Sequence, residues 1–399
     1  MPVNAWKNLA YRIALPFFGL RTQGVIRSAD ALAEVEKSKL ESIFRRHHVV
    51  GGCLQLIRNG ALEPTITYGY KRLPNDAVNE STLFRAASIT KMVTAIGAMK
   101  LAEAGRLDLN APASYYLPYP VRNPFTPDKP ILVHHLLSHT STIWDGPGYD
   151  SALHSPIPLE GLLKNPGNYL PAAPGSAFRY SNLAAGIVGT IMEYVTGKSL
   201  ERLMYELMFQ PLEMNATYTL QNVQDIKNVS CIYRVLSRRC NAPLFDPVKK
   251  LESADAFDSP MPEFHYLTAA GNLFTDAVSL GKLICQMATG GGMILTHESI
   301  KKMQTPAASY GKHAPHTKHC LGLVELDDPS LSANKLYGHQ GFAYGATESV
   351  FYQEDTGNGF VFLNGGASEA RTGHLACVSR DLIIWALGKH GYLNNPSTE

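Results

Sequence analysis

The chain has 399 residues, of which 45% are hydrophobic and 18% are charged. This share of apolar residues supports a substantial folded core and excludes a wholly disordered protein. The 36 Lys and Arg residues nearly balance the 34 Asp and Glu residues, which gives a formal net charge of +2. Because a dedicated nucleic-acid-binding protein concentrates basic charge, this balance argues against nucleic acid as a partner. The length suits two or three domain-sized units or one large two-lobed enzyme.

The N-terminal segment is where the sequence indicates contact with a membrane surface. Residues 9–20 are largely apolar, but Arg12 interrupts them and Arg21 follows them. The stretch is too short to cross a bilayer as a helix, and it lacks a clear small-residue cleavage site. We predict a surface or interfacial helix, no transmembrane span in the chain, and a cytoplasmic or membrane-peripheral location in preference to a secreted one.

The predicted elements run from strands to helices and loops, and then back to strands and a helix. Residues 30–46 have a helical pattern, and residues 48–73 are typical of a β-hairpin with its turn at Asn59-Gly60. Further helices are predicted, in chain order, at 82–104, 133–137, 182–196, 199–208, 275–287 and 373–387. Further strands are predicted at 320–326, 349–353 and 360–363.

This order predicts an α+β fold, in which an antiparallel β-sheet is flanked by helices and a mostly helical domain is inserted. We expect residues 1–29 to form an N-terminal extension. The sheet domain is expected to combine residues 30–85 with residues 270–399, and the inserted domain to comprise residues 86–269. A catalytic cleft would then lie between the two domains.

The sharpest chemical feature is the sequence Ser-Ile-Thr-Lys at residues 88–91, near the start of a predicted helix. Ser88 and Lys91 share one helical face, and a Lys with a depressed pKa can take the proton of a Ser nucleophile. The helix N-terminus would supply N–H groups that stabilise an oxyanion. The alternative is a Ser that caps the helix and a solvated Lys. The apolar surroundings of Lys91 favour the catalytic interpretation, because an unpartnered charge there is costly.

A second motif precedes another predicted helix. Tyr180 and Asn182 lie two residues apart, so on an extended or turn backbone their side chains point the same way. A phenol near an ammonium group can shuttle protons, and a carboxamide can hold both a Lys and a substrate amide. The alternative is a core Tyr followed by an Asn that caps the helix.

The third motif is Gly-His-Gln-Gly-Phe at residues 338–342, which leads toward the C-terminal strands. The flanking glycines permit close approach of the backbone to a ligand. His339 would supply a hydrogen bond or positive charge, and the Phe342 N–H would face a substrate carbonyl. The alternative is a glycine-rich turn with an exposed His.

In this order, the three motifs resemble the serine penicillin-recognising superfamily, and more narrowly the class C β-lactamase-related group. That group includes β-lactamases, D-alanyl-D-alanine carboxypeptidases, D-aminopeptidases and esterases, and its pattern is S-x-x-K, Y-x-N, then K-T-G or H-x-G. Other stretches similar to the family lie at 84–87, 136–141, 174–175 and 269–274. The resemblance covers roughly residues 40–390 and implies a β-lactamase/transpeptidase-like fold.

The resemblance implies a serine hydrolase without metal or cofactor, which cleaves an amide or ester bond of a small-molecule or peptide substrate through an acyl-enzyme. Lys91 would be the base partner, Tyr180 the proton shuttle and Asn182 the positioning amide. The N–H groups of Ser88 and Phe342 would form the oxyanion hole. The implied site residues are, for catalysis, Ser88, Lys91 and Tyr180, and, for substrate binding, Asn182, His339, Gln340, Gly341 and Phe342. A third motif of His-Gln-Gly resembles the peptidase and esterase branches more than efficient β-lactamases.

Two other functions stay open at this point. One is a catalytically poor penicillin-binding sensor or scaffold of the same fold, although a scaffold need not keep all four of the Ser, Lys, Tyr and Asn residues. The other is a metal-dependent hydrolase built on a His-rich segment, for which we instead predict a polar loop near the cleft. That segment contains His313, His316, His319 and Cys320. The sequence leaves open the choice among lactam, D-amino-acid peptide and ester substrates, the oligomeric state and any pairing of the six cysteines.

Overall fold

The computed structural model describes residues 5–27, 32–146, 148–149, 157–237, 242–252 and 266–394. Within these ranges the largest element is an 11-stranded sheet, accompanied by a 3-stranded and a 2-stranded sheet. The strands, in chain order, are β1 (Ile26–Arg27), β2 (Gly51–Arg58), β3 (Ala61–Leu62), β4 (Ile66–Arg72), β5 (Asp76–Ala77), β6 (Phe84–Arg85), β7 (Ala216–Thr217), β8 (Phe274–Thr275), β9 (Ala308–Ser309), β10 (Thr317–His319), β11 (Val324–Leu326), β12 (Leu336–Ala343), β13 (Ala346–Tyr352), β14 (Gly359–Asn364), β15 (Arg371–Thr372) and β16 (Leu375–Ala376).

Helices lie before, between and after these strands. The α-helices, in chain order, are α1 (Ala5–Phe18), α2 (Glu34–Arg46), α3 (Ile89–Glu103), α4 (Val133–Leu137), α5 (Leu159–Leu163), α6 (Asn182–Thr196), α7 (Leu200–Met204), α8 (Pro247–Glu252), α9 (Thr268–Gly271), α10 (Ala277–Ala288), α11 (His297–Gln304) and α12 (Cys377–Leu387). The predicted helix at 182–196 matches α6, and Gly197, which follows its last residue, caps it in the left-handed conformation at φ 68°.

Both ends of the chain contribute strands to the large sheet. The strand order is β1-β4-β2-β14-β13-β12-β11-β10-β9, with β3 paired to β2 and β5 paired to β4. The N-terminal hairpin joins the C-terminal strands through antiparallel pairing of β2 with β14, where Cys53 lies opposite Leu363. The predicted α+β fold, an antiparallel sheet flanked by helices, is therefore confirmed.

Side chains alternate between the two faces of the central strands, and each face has its own core. Along β14, Phe360 and Phe362 lie in a core that includes residues of α2 and α12. Val361 and Leu363 lie in the opposite core, which includes residues of α3, α6 and α10. Because helices cover both faces, every residue of β14 is buried and its sequence is a nearly continuous apolar run.

In two of the predicted helices, a strand pairing takes the place of the first residues. The helix predicted at 82–104 begins at Ile89, because the residues just before it form β6, which pairs with β8. The helix predicted at 373–387 begins at Cys377, because β15 and β16 form a small hairpin in front of it. In both places the residues predicted to begin the helix form a short strand instead.

The C-terminal strands also differ from the prediction in two places. The strand predicted at 320–326 is extended only from Val324, and Gly322 before it has a φ of +73° that turns the chain. The third motif does not lead toward a strand but lies within one, since β12 spans Leu336–Ala343. The alternative of a glycine-rich turn with an exposed His is therefore wrong, and His339 is 3% exposed.

The N-terminal residues pack against the sheet and also extend it. The inner side of α1 buries Tyr11 and Leu15, and β1 adds an edge strand in which Ile26 lies opposite Tyr68 of β4. The predicted extension at residues 1–29 is thus partly a component of the sheet. No helix among the described residues is long and apolar enough to cross a membrane. The division between a sheet domain and an inserted domain stays a prediction.

The core beneath α2 provides a test of this architecture. Phe44 is 1% exposed, and its ring centroid lies 5.5 Å from that of Phe362 and 4.8 Å from that of Tyr68. We expect Phe44→Ala to lower the free energy of unfolding by about 3–5 kcal/mol, as measured by urea denaturation. The control Val35→Ala changes a residue of the same helix that is 65% exposed, and should shift stability by less than about 0.5 kcal/mol. Equal losses in the two variants would contradict the placement of this core.

Candidate active site

A strained turn places Ser88 at the N-terminus of α3. Ala87, immediately before it, has a φ of +45°, a conformation that is unfavourable for a residue with a Cβ atom. The turn is held on both sides, since the Ala86 N–H donates to the Leu273 carbonyl at 2.8 Å and the Leu273 N–H donates to Thr90 Oγ1 at 3.2 Å. Ser88 occupies the N-cap position, but its side chain makes no capping hydrogen bond. The hydroxyl is therefore not used to cap the helix.

Lys91 lies one helical turn further on and is 4% exposed. Its Nζ donates to Ser88 Oγ at 3.0 Å and to the Ala270 carbonyl at 2.5 Å. Burial lowers the pKa of Lys91 to about 7, and the positive charge of Arg85 acts in the same direction, while the carboxylate of Asp145 opposes both. Near neutral pH a large fraction of the amine is therefore unprotonated beside the Ser88 hydroxyl. The alternative of a solvated surface Lys is wrong.

Tyr180 lies against both of these side chains. Its ring centroid is 5.1 Å from Lys91 Nζ, and its phenol group hydrogen-bonds with the Ser88 side chain. Burial raises the pKa of Tyr180 above its ordinary value, although the hydrogen bond from Ser88 acts in the opposite direction. The phenol consequently keeps its proton at neutral pH and can donate it.

Asp145 fixes the start of α6, and sequence reasoning missed this residue. Its carboxylate accepts hydrogen bonds from Ser181 Oγ at 3.0 Å, from the backbone N–H groups of Asn182 and Leu183 at 3.1 and 3.0 Å, and from Asn182 Nδ2 at 2.8 Å. Asp145 thus holds the amide of Asn182, which lies two positions after Tyr180 in the sequence. A carboxylate at a helix N-terminus is stabilised by the helix dipole. No signal in the sequence pairs Asp145 with residues more than 35 positions away.

The third motif approaches the nucleophile through Gly341. A Cβ atom at this position would lie 2.8 Å from the Ala86 carbonyl and 3.2 Å from Ala87 Cβ, so only glycine lets β12 come this close to the Ser88 turn. The following residue, Phe342, is thereby brought beside the turn, where its ring stacks on the Arg371 guanidinium at 3.6 Å from the ring centroid.

Both polar atoms of the Gln340 side chain have partners within the protein. Its Nε2 donates to the His374 carbonyl at 3.1 Å, and its Oε1 accepts from the Ala376 N–H at 3.0 Å. Both polar ends of the amide therefore link β12 to the β15–β16 hairpin. The Gln340 side chain thus supports the wall of the site, and its role in substrate binding stays a prediction.

Three buried histidines form the back of the site. His139, His319 and His339 are each 3% exposed or less, and the His139 ring centroid lies 4.4 Å from that of Tyr180 and 4.6 Å from that of His319. Together with Lys91, they line a cavity of about 10 Å³, which is close to the smallest volume that accommodates a water molecule. The site therefore has a polar but enclosed rear wall.

These histidines are neutral at physiological pH. Burial lowers the pKa of His339 to about 3, with a further contribution from the Lys91 charge, and burial holds the pKa values of His139 and His319 well below the ordinary value. His339 Nδ1 donates to the Gln340 carbonyl at 2.7 Å, and His139 Nδ1 accepts from the Ser181 N–H at 3.2 Å. The third motif thus presents no positive charge from His339.

The His-rich segment does not gather into one cluster. His319 is in β10 and belongs to the rear wall of the site, where its Nδ1 is 3.1 Å from the Tyr310 hydroxyl. His316 instead lies on the exposed side, with Nδ1 3.1 Å from the Asp327 carbonyl. Among the described residues, no group of three or more His, Cys, Asp or Glu side chains is arranged to hold a metal ion. The segment is therefore partly a strand of the site and not wholly a polar loop.

The cysteines contribute no disulfide to the part of the chain that the structure describes. The thiols that are free there belong to Cys53, Cys231, Cys285, Cys320 and Cys377. Cys240 lies outside the described residues.

The hydrogen bonds that Asp145 accepts from the start of α6 form a clamp, and this clamp gives a test of how the site is built. Asp145→Ala removes the acceptor of four hydrogen bonds from the start of α6. We therefore expect the free energy of unfolding to fall by about 2–4 kcal/mol. Asp145→Asn keeps one acceptor oxygen and should lose less than half as much. Chemical denaturation of both variants beside the wild type measures this. If Ala and Asn behave alike, the clamp does not depend on accepted hydrogen bonds.

The chain is similar to proteins of one family in sequence and in fold. The Beta-lactamase family model matches residues 29–374. Esterase EstB of Burkholderia gladioli is 32% identical over 196 residues, which are 44% of this chain and 50% of EstB. The octameric penicillin-binding protein homologue from Pyrococcus abyssi superposes with a TM-score of 0.68 at 25% identity, over 88% of this chain and 77% of its own. The D-amino acid amidase from Ochrobactrum anthropi SV3 superposes with a TM-score of 0.66 at 22% identity, over 88% and 97% of the two chains.

The matches differ in how much of each chain they cover. This chain spans about half the length of the curated relatives that it matches. The family match, by contrast, covers well over half of this chain, and the fold agrees with it. The predicted resemblance is confirmed, and this chain belongs to the Beta-lactamase family.

Proposed function

We propose that this protein is a serine hydrolase that cleaves an ester or amide bond through an acyl-enzyme on Ser88. The observation that carries the proposal is the 3.0 Å contact between Ser88 Oγ and Lys91 Nζ in a buried setting. This distance is within the range for a nucleophile and its base, and burial shifts the amine toward its unprotonated form. Membership of the family, with an esterase among its relatives, supports the same reaction class.

In the acylation step, unprotonated Lys91 takes the proton of Ser88 as Oγ attacks the substrate carbonyl. The resulting oxyanion would accept hydrogen bonds from the N–H groups of Ser88 and Phe342. The close approach of Gly341, which precedes Phe342, to Ala86 and Ala87, which precede Ser88, supports this pairing. Tyr180 then gives its phenolic proton to the leaving alcohol or amine as the carbonyl–leaving-group bond breaks. The proton on Lys91 restores the phenol, so the step ends with an ester on Ser88 and both groups reset.

Deacylation uses the same two groups, with water as the nucleophile. Neutral Lys91 takes a proton from a water molecule as its oxygen attacks the acyl carbonyl, and Tyr180 gives its phenolic proton to Ser88 Oγ as the acyl bond breaks. The proton on Lys91 then restores the phenol. The Asn182 amide, fixed by Asp145, would orient the acyl group during both steps. The products are a carboxylic acid and the free enzyme.

The electrostatics of the third motif favour substrates without a carboxylate at that end. His339 is neutral at pH 7, whereas the Lys of a Lys-Thr-Gly motif would attract an anion. Arg371 carries a charge near the site, although burial lowers its pKa to about 10 and its guanidinium is stacked on Phe342. We therefore propose neutral esters or D-amino-acid amides as the substrate class, ahead of penicillins.

Covalent labelling tests the nucleophile. We expect a fluorophosphonate probe to add one phosphonyl group to the wild type and none to Ser88→Ala, as measured by intact-protein mass spectrometry. The control Ser176→Ala changes an exposed hydroxyl in the segment before Tyr180 and should label like the wild type.

The same experiment distinguishes the alternatives. Labelling of Ser88→Ala at the wild-type rate would contradict the proposal. Labelling of the wild type without steady-state turnover of p-nitrophenyl esters or D-amino-acid anilides would instead favour a sensor that acylates and stops. Turnover that survives in full in Ser88→Ala would point to another site.

The pH dependence tests the base. Since unprotonated Lys91 is the active form, kcat/KM for a neutral ester should be low in acid and rise with a midpoint near pH 7, the pKa of Lys91 in this setting. The Asp145 carboxylate raises this pKa, so Asp145→Asn should move the midpoint to lower pH. A rise that begins only above pH 9, or an unchanged midpoint in Asp145→Asn, would contradict the assignment of Lys91 as the base.

A further inference from the structure

We propose that α1 docks this protein on the surface of an anionic phospholipid bilayer, with its outer side in the headgroup region. The proposal rests on the shape and charge of the N-terminal segment and is independent of the hydrolase activity. It concerns peripheral binding, because α1 has 14 residues and is about 21 Å long, whereas the apolar layer of a bilayer is about 30 Å thick.

The two sides of α1 have different environments although both are apolar. Tyr11 and Leu15 face the protein and are 3% and 4% exposed. Leu9, Ile13 and Phe17 follow one another at intervals of four residues, which places them in one stripe, and they are 45%, 59% and 78% exposed. Phe18 at the end of the helix is 75% exposed. A contiguous exposed apolar stripe of this kind marks an interaction surface.

The rest of the protein holds this stripe outward. Asn8 Nδ2 donates to the Arg371 carbonyl at 2.9 Å, and Asn8 Oδ1 accepts from the Arg371 N–H at 2.9 Å. The Tyr11 hydroxyl donates to the Glu369 carboxylate, and the Leu20 N–H donates to the Val235 carbonyl at 2.8 Å. Because these bonds fix both the rotation and the end of α1, the outer stripe cannot turn inward to join the core without breaking them.

Charge identifies the partner as an anionic lipid surface. Residues 1–29 contain four basic residues and no acidic residue, the basic ones being Lys7, Arg12, Arg21 and Arg27. Arg12, which is next to Ile13 in α1, and Arg21, whose guanidinium donates to the Pro16 carbonyl of α1, are both exposed. An apolar stripe with aromatic residues and a purely cationic flank is the pattern of helices that lie in the plane of a membrane interface, where each basic residue adds attraction to anionic headgroups. A protein partner would not require charge of a single sign.

The docked helix is directly connected to the candidate active site. The Arg371 backbone is bonded to Asn8 of α1, while the Arg371 side chain stacks on Phe342 beside the Ser88 turn. Binding of α1 to a bilayer would therefore hold one wall of the site close to the membrane surface.

Vesicle sedimentation tests the proposal with the full chain. We expect the wild type and Ser88→Ala to co-sediment equally with vesicles of phosphatidylcholine and phosphatidylglycerol, and much less with phosphatidylcholine alone or at high salt. The double variant Ile13→Gln/Phe17→Gln should bind at least about tenfold more weakly, since two apolar side chains leave the interface. The matched control Val35→Gln/Tyr115→Gln changes residues that are 65% and 80% exposed elsewhere, and should bind like the wild type.

Two further measurements decide among the outcomes. Thermal unfolding should give the same midpoint for Ile13→Gln/Phe17→Gln and for the control Val35→Gln/Tyr115→Gln. If the midpoints differ, Leu9→Gln/Ile13→Gln serves as a second stripe variant. Light scattering should show that the stripe variants keep the wild-type oligomeric state in the absence of lipid. Undiminished vesicle binding by both stripe variants would overturn the proposal. The proposal would also be overturned if the wild type does not bind vesicles and its oligomer dissociates in the stripe variants. That result would assign the stripe to contact with a second copy of the chain.

Discussion

The candidate site depends on one constraint, the burial of the Lys91 amine within the first turns of α3. An ammonium group in an apolar helix is tolerated only where polar groups meet it, and the structure supplies Ser88 Oγ and the Ala270 carbonyl. The same segment that provides this carbonyl also fixes the strained turn before Ser88, through Leu273. Because burial favours the neutral amine, the packing that stabilises this turn also prepares the base that the proposed mechanism needs.

The other walls of the site are positioned by contacts that reach far along the sequence. Asp145 holds the start of α6 and with it Asn182 and the neighbouring Tyr180, while the absence of a side chain at Gly341 allows β12 to reach the nucleophile turn. Each of these contacts joins elements from different parts of the chain. The site is therefore a product of the complete sheet-and-helix fold and not of any one motif.

Sequence reasoning predicted the features that depend on local pattern and missed those that depend on long-range pairing. The antiparallel sheet, the helix after the Ser and the family resemblance follow from periodicity and motif order, and the structure and the comparisons confirm them. Asp145 carries no local signal, and the sequence placed His319 only in a polar loop near the cleft, because the roles of both residues arise from partners in other elements. The supporting contacts of the Gln340 amide were missed for the same reason, since its partners at His374 and Ala376 belong to a hairpin that periodicity did not reveal. The roles of Ser88, Lys91 and Tyr180 stay predictions that their geometry supports.

An NMR titration of the Lys91 side chain measures directly whether this buried amine is unprotonated near neutral pH. Selective 13C labelling of lysine Cε, with Lys91→Arg to assign the signal, reports the protonation of this amine alone and needs no substrate. We expect a midpoint near pH 7, well below that of an ordinary lysine, because Lys91 is buried beside Ser88. A midpoint near the ordinary value of about 10.4 would show that the amine stays charged, and would contradict its role as the base.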